Sequence, residues 1–333
     1  MKLLVTGGCG FIGSNFVRHV LRTHPDDSVV NLDKLTYAGN PANVRDVEGD
    51  ARYTFVHGDI CDPDTVDRAA KHVDAIVNFA AETHVDRSLL DPGAFIKTDV
   101  DGTRVLLEAA RRYGHRRYIQ ISTDEVYGST LGAPFVETDL LHPSSPYAAS
   151  KAGGDLMTLA YGATYGVPVI ITRASNNFGP YQYPEKLMPL FITNAIDDQP
   201  LPLYGDGLNV RDWLAVEDHC EAVDLVLRRG TVGEIYNVGG GNERNNLEIT
   251  ESILRALGKP KTLIKPVADR PGHDRRYALN AEKLAALGFT PRRRFDEALQ
   301  ATIAWYRANE AWWRPIKSGE FRTYYETQYR TIG

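Results

Sequence analysis

Apolar residues arrive along the chain in short runs separated by helical patterns. Leu3-Leu4-Val5, Val29-Val30-Asn31-Leu32, Tyr53-Thr54-Phe55-Val56, Ala75-Ile76-Val77-Asn78-Phe79, Tyr118-Ile119-Gln120-Ile121 and Val167 to Thr172 read as strands. Between them the spacing predicts helices near Phe11 to Arg22, from Asp62-Pro63 onward, and over Thr103 to Arg112. Asp62 suits an N-cap and Pro63 a first helical position. Repeated strand–helix alternation predicts an α/β fold built on a parallel, doubly wound sheet.

After about Ser175 this rhythm breaks, and Pro180, Pro184, Pro189, Pro200 and Pro202 punctuate the chain. A helix over Glu217 to Arg228 and a strand at Ile235-Tyr236-Asn237-Val238 partly restore it. We therefore expect a first domain over 1–175, with parts of 205–240 returning to it. A smaller, interleaved C-terminal α/β lobe is expected over 176–333. The tail from Trp305, rich in aromatics and arginine, reads only as packing material.

The helix over Tyr147 to Tyr165 is apolar nearly all round: Ala148, Ala149, Leu156, Met157, Leu159, Ala160, Tyr161 and Ala163 leave little polar face. A surface helix carries one apolar stripe, so this one is expected to be covered on two sides. With the Thr103–Arg112 helix it could pair with its copy in a four-helix homodimer contact. The alternative is burial under the chain's own second lobe.

The first helix follows Gly7-Gly8-Cys9-Gly10-Phe11-Ile12-Gly13 directly. Glycines at 7, 10 and 13 permit a tight turn, close approach to a pyrophosphate and close helix packing. Asp33 ends the second strand, twenty residues after Gly13. An acid there accepts hydrogen bonds from ribose hydroxyls and repels a 2′-phosphate, which favours NAD over NADP. Asp59-Ile60 after the third strand is a weaker candidate for flanking the adenine.

Tyr147 and Lys151 stand four apart on one helix face. A phenol titrates near about 10. A nearby ammonium, joined by the positive nicotinamide ring, is expected to lower that value and make Tyr147 a base. Thr123, at the end of a strand, could hold the substrate hydroxyl beside it.

Composition narrows the field. The 333-residue chain carries a net charge of −5 and no long basic run, which argues against nucleic acid. Cys9, Cys61 and Cys220 have neither metal nor disulfide spacing and read as buried, reduced thiols; no metal is expected. No stretch approaches the roughly 20 apolar residues of a membrane span, and no signal peptide is evident, so a cytoplasmic location is expected. An anionic substrate would need cations gathered locally. Lys186, Arg211, Arg270 and His273, in Pro- or Gly-marked loops, are the candidates.

Through Thr6 to Gly13, Tyr147-Ala148-Ala149-Ser150-Lys151 and Asn176-Asn177-Phe178-Gly179-Pro180, nearly the whole chain resembles the extended short-chain dehydrogenases/reductases, which implies a Rossmann-type fold. Within them, Ser122-Thr123-Asp124-Glu125-Val126-Tyr127-Gly128, Asp33 to Asn40 and His84-Val85-Asp86-Arg87-Ser88 look like the dTDP-glucose 4,6-dehydratases. The resemblance implies NAD as cofactor, with a hydroxyl oxidised at C4 of the sugar, water eliminated across C5 and C6, and hydride returned to C6. Glu125 would be the base at C5 and Asp124 the acid at O6. Two adjacent carboxyl groups divide such work when their environments separate their pKa values.

The resemblance also places Phe11, Ile12, Lys34, Leu35, Thr36, Asp59, Ile60, Ala80, Ala81, Thr83, Thr98 and Asn177 on the cofactor. It places His84, Asn176, Leu187, Pro202, Leu203, Tyr204 and Asn246 around the substrate with Lys186, Arg211, Arg270 and His273. Thr83 stands where serine is usual, and Cys9 where alanine is common. Rival readings are a nucleotide-sugar 4-epimerase, a dehydratase of UDP- or CDP-glucose, and a non-catalytic NAD sensor. The Asp124-Glu125 pair argues against the epimerase, and the Tyr147/Lys151 pair against the sensor.

Overall fold

The computed structural model describes residues 1–269, 272–318, 321 and 325. Six strands alternate with helices as the apolar runs predict: β1 (Lys2–Thr6), β2 (Ser28–Asp33), β3 (Tyr53–His57), β4 (Ala75–Asn78), β5 (Arg117–Thr123) and β6 (Val169–Ala174). All pair in parallel, in the order β6-β5-β4-β1-β2-β3. The order reverses between β1 and β4, and the crevice at the strands' C-terminal ends there is where such sheets bind ligands. Residues of β4 and β6 are buried throughout, as helices on both faces require. β3 is an edge strand, which explains why Phe55 is exposed.

The helices are α1 (Phe11–Thr23), α2 (Pro63–Ala70), α3 (Val85–Leu90), α4 (Pro92–Phe95), α5 (Thr103–Tyr113) and α6 (Pro146–Tyr165). Asp62 caps α2 by accepting from the Asp64 N–H, and Pro63 opens it. Ser145 and Pro146 do the same for α6, whose C-cap Gly166 takes a φ of 70°. One difference matters for the site. The helix expected from Thr103 begins at Pro92, because α4 runs into α5 through a π-helical stretch, Ile96–Gly102. A π turn is wider than an α turn and clusters at functional sites; this one carries Thr98 and Asp99.

The region where the sequence pattern broke forms β7 (Asn176–Phe178), α7 (Leu187–Ile196), β8 (Leu201–Tyr204), β9 (Val210–Ala215), α8 (Val216–Arg229), β10 (Ile235–Val238), β11 (Glu243–Asn245), α9 (Asn246–Leu257), β12 (Ile264–Val267), α10 (Glu282–Ala286), α11 (Phe295–Ala308) and α12 (Glu310–Ile316). β10 pairs with β6 as the seventh strand of the large sheet. The others form a three-stranded sheet, β11-β9-β7, and a two-stranded one, β12-β8. These sheets share a second hydrophobic core with α7, α9 and α11, around Phe178, Phe191, Trp213, Ile253 and Ile303. α7 lacks a readable stripe because it is buried on every side.

The C-terminal aromatics have a definite task. Tyr306 is fully buried and donates to the Gln182 carbonyl at 2.5 Å, and Trp312 Nε1 donates to Asn43 Oδ1 at 2.8 Å. The second of these bonds ties the C-terminal helices to the segment after β2. Cys9 and Cys220 are buried thiols, whereas Cys61 is only half-buried. Among the described residues no helix is long and apolar enough to cross a membrane.

Candidate active site

Gly7 follows β1 with a φ of 68°, a left-handed conformation that disfavours any side chain. A Cβ on Gly13 would lie 2.2 Å from the Gly7 carbonyl oxygen, so glycine alone lets α1 close onto the loop. Gly10 caps α1 without a side-chain hydrogen bond, which leaves first-turn N–H groups for a ligand. The cavity above is lined by Gly7, Gly10, Phe11, Ile12, Gly13, Asp33, Lys34, Thr36, Asp59, Ile60, Ala80, Ala81, Thr83, Thr98, Tyr147 and Lys151. Leu35 and Asn177, also expected on the cofactor, do not line it. Leu35 takes a φ of 55° and packs against the core, and Asn177 donates from Nδ2 to the Ser175 carbonyl.

Asp33 accepts from the Cys9 and Leu35 N–H groups, each at 2.8 Å. Burial outweighs these bonds and raises its pKa. A carboxylate has about four lone-pair sites, so ribose hydroxyls still find acceptors there. Lys34, which could have held a 2′-phosphate, is paired with Asp59 at 2.7 Å. The glycine cradle, the uncapped helix end, Asp33 and this neutralised lysine fit NAD and disfavour NADP.

Thr123 ends β5 and caps a 3₁₀ turn, Asp124–Tyr127, by accepting from the Glu125 N–H at 3.3 Å. The turn puts the two carboxyl groups in different surroundings. Asp124 is buried, receives the Thr123 hydroxyl on Oδ1 at 3.2 Å, and its Oδ2 has no hydrogen-bond partner among the described residues. Burial first, then the charge of Glu125, pushes Asp124 well above the carboxylate range. Glu125 faces the neighbouring second pocket, with the Tyr277 hydroxyl 3.5 Å from Oε2.

Tyr147 and Lys151 share the start of α6, but their electrostatics differ from expectation. Lys151 Nζ donates to the Ile121 carbonyl at 2.7 Å. Burial pushes the Tyr147 phenol well up, and Glu125, Asp99 and Asp124 push it further, against a hydrogen bond from Thr123. The lysine is thus not enough to make a phenolate. Its ammonium is engaged by the Ile121 carbonyl and by the charge of Asp99.

The second pocket is lined by His84, Asn176, Lys186, Leu187, Pro202, Leu203, Tyr204, Arg211, Asn246 and His273, with Glu125 at its edge. Thr123 and Asp124 line neither cavity and are both buried. Arg270 lies outside the described residues. Arg211 is buried, donates to the Val210 and Asp274 carbonyls, and stacks 4.1 Å from the Tyr277 ring centroid. Tyr204 Oη donates to Asp86 at 3.0 Å.

Three residues escaped the sequence reading. Asp99 accepts from the Ser150 hydroxyl at 2.6 Å and the Glu82 N–H at 3.1 Å. Burial raises it to about 6, against the pull of Lys151. Tyr277 donates to Asp274 at 2.6 Å and stands beside Glu125. Glu185 lines both cavities. Glu185 sits next to Lys186, Tyr277 three residues after Asp274, and Asp99 next to Thr98, so adjacency to flagged residues was the available signal.

The GDP-mannose 4,6 dehydratase family model matches residues 4–302. A dTDP-glucose 4,6-dehydratase of Streptomyces niveus is 52% identical over 328 residues, covering 97% of this chain and 98% of that protein. dTDP-glucose 4,6-dehydratase 1 of Escherichia coli strain K12 is 48% identical over 358 residues, covering 99% of each. The crystal structure of DesIV, a dTDP-glucose 4,6-dehydratase from Streptomyces venezuelae with NAD bound, matches with a TM-score of 0.94 at 52% identity, covering 95% of this chain and all of that one. A UDP-glucose 4-epimerase from Thermus thermophilus in complex with NAD matches with a TM-score of 0.86 but 33% identity, covering 93% and 100%. Fold is shared with both, but the sequence sides with the dehydratases: the chain belongs to the dTDP-glucose 4,6-dehydratase family.

Proposed function

We propose that this NAD-dependent hydro-lyase converts dTDP-glucose to dTDP-4-keto-6-deoxyglucose and water with Tyr147, Lys151, Thr123, Asp124 and Glu125 as its working groups. NAD held by the glycine loop and Asp33 would supply a hydride acceptor for C4 and a donor for C6, with no net change of its oxidation state. Tyr147 takes the C4 hydroxyl proton. The phenol is held too high to do so unaided, and the positive charge of the oxidised cofactor supplies the missing bias. Glu125 removes the C5 proton made acidic by the ketone. Asp124 gives a proton to the departing O6 hydroxyl, and Glu125 later returns a proton to C5. The proton gained by Tyr147 must then reach Asp124, and the Thr123 hydroxyl, which touches both, lies on that path.

The observation that carries this reading is the buried Asp124 carboxyl beside Glu125, whose Oδ2 has no hydrogen-bond partner among the described residues and whose pKa is pushed well up, the bias that an acid needs. Purified protein given dTDP-glucose should yield a product lighter by one water in a mass spectrum. Unchanged mass with inverted C4 would make it an epimerase, and no conversion of any nucleotide sugar would leave only cofactor binding. Glu125→Gln should abolish solvent-deuterium exchange at C5; full exchange in that variant overturns the assignment of the base.

We place the Lys186, Arg211 and His273 cluster on the nucleotide's phosphates. We also propose a homodimer through α5 and α6 and their copies. Ala149, Leu156, Ala160 and Ala163 lie on one face of α6 that the chain's own second lobe leaves exposed, Leu156 by 58%. Leu156→Arg should halve the mass measured by light scattering, and a monomeric wild type would end the idea. Three thiols without disulfides favour the cytoplasm; fractionation of the native host checks this.

A further inference from the structure

α1 starts at the phosphate loop and ends at Thr23, with His24 as its C-cap, where the chain turns into the start of β2. That end belongs to the opposite edge of the sheet from the two pockets. There α1 packs along α8. His19 and His24 come from α1 and its cap, and Asp224 comes from α8. One nitrogen of each imidazole and one Asp224 oxygen all lie within 4.8 Å of one another. Among the described residues no other three histidine, cysteine or acidic side chains converge so closely.

Asp224 is buried and divides its two oxygens. Oδ1 accepts from Arg228 Nε at 2.7 Å. Oδ2 faces the imidazoles, 2.8 Å from His24 Nε2 and 3.4 Å from His19 Nε2. The His19 side chain is only 10% exposed, and its Nε2 has no hydrogen-bond partner among the described residues. A buried ring nitrogen without a partner costs free energy that a simple ion pair would not leave standing. The His19 ring stacks on Phe16 and meets the His24 ring at 72°, so packing fixes its direction. Arg228 also pairs with Asp27 at 2.7 Å, so its charge is matched by two carboxylates. Arg22, Arg229 and Arg292 line the adjoining cavity, but they are exposed and screened by water.

We propose that His19, His24 and Asp224 bind one Zn²⁺, with the fourth position open to the cavity that His19 and Asp224 line. Two imidazole nitrogens and one carboxylate oxygen are zinc donors, whereas Mg²⁺ and Ca²⁺ require oxygen. Tetrahedral zinc holds such ligands at about 2.0–2.1 Å, which sets neighbouring ligand atoms roughly 3.3 Å apart. The His19 pair already has that spacing, and the His24 pair opens slightly to reach it. Each imidazole then carries its proton on Nδ1. Arg228 on Oδ1 is the outer partner that orients a ligating carboxylate. Glu221 lines the same cavity but is held by Arg293 at 3.2 Å, so the fourth ligand is water. The bound cation joins α1 to α8 and is structural, far from the reacting groups.

The test is metal binding itself. Full-length protein stripped with a chelator is titrated with Co²⁺ and then with Zn²⁺. Wild type should develop a visible absorption band that saturates at one equivalent per chain and is bleached by Zn²⁺. His24→Ala, at the rim of the site, and Asp224→Asn should each bind about a hundredfold more weakly or worse, since loss of an outer partner alone costs about 10- to 100-fold. His72→Ala, which removes an exposed imidazole elsewhere, should bind as wild type. Zn²⁺ should raise the Tm of wild type and leave that of His24→Ala unmoved. Circular dichroism checks that each variant folds, and His24→Ala decides if Asp224→Asn does not. No saturable equivalent, binding that His24→Ala leaves intact, or equal competition by Mg²⁺ or Ca²⁺ overturns the site. So does a wild-type Tm that Zn²⁺ leaves in place.

Discussion

The cofactor cavity and the substrate pocket adjoin, yet they are built differently. Most of the cofactor side is assembled from strand ends and the few residues after them: Gly7, Gly10 and Gly13 after β1, Asp33, Lys34 and Thr36 at and after β2, Asp59 and Ile60 after β3, and Ala80 to Thr83 after β4. Each piece is a local motif, and the parallel sheet lines the pieces up because all its strands point the same way. The substrate pocket draws on His84, Glu125, Asn176, Tyr204, Arg211, Asn246 and His273, which come from unrelated elements joined through a second core. Local chemistry can be read from a window of residues; a site made by long-range packing is read only in pieces.

Three variants press on that contrast. Gly13→Ala should have the largest effect, because its Cβ would strike the backbone of the phosphate loop at 2.2 Å. Cofactor content of the purified protein should fall from stoichiometric to undetectable; retention of bound NAD would mean the loop is not the rigid cradle described.

Arg211→Ala should act on the other side alone. Loss of one buried charged donor costs about 2–3 kcal/mol, so KM for dTDP-glucose should rise roughly 30- to 150-fold with NAD affinity unchanged. A matching loss of NAD affinity would show that the two sites are not separable.

Asp99→Asn tests the seam between them and should have the smallest effect. Asp99 titrates at about 6 in the folded chain, against about 3.9 for a free carboxyl. The native state therefore holds this proton more tightly than the unfolded chain. Its contribution to stability is full below about pH 4 and is lost as pH rises through about 6. The whole swing would be about 3 kcal/mol. Wild type should lose stability relative to Asp99→Asn over that range by up to this swing, because the variant has no carboxyl there to titrate. Urea melts that keep the same pH slope in the variant would show that Asp99 is not the titrating group.

Much of the site was legible. The glycine triplet, Asp33, the Tyr147/Lys151 spacing and the Asp124-Glu125 pair are short-range patterns whose residues lie together in the structure. What escaped has a common cause. Glu185 matters because it meets Arg87, 98 positions away, and Tyr277 because it meets Glu125 across 152. Asp99 turns toward Ser150 only because the helix widens into a π turn. The pKa of Tyr147 was expected to move down under the ammonium of Lys151 and the positive nicotinamide ring. Burial first, then three carboxyl groups brought in by the fold, push it up.

The sequence by itself determined the parallel sheet and the cofactor class and named the candidates for the reacting groups, because strand–helix alternation, glycine geometry and residue type act over a few positions. Tertiary structure alone decided that Asp124 is pushed toward its neutral form, and what engages Lys151. Those depend on burial and on charges far away along the chain, brought within a few ångströms only when both cores form.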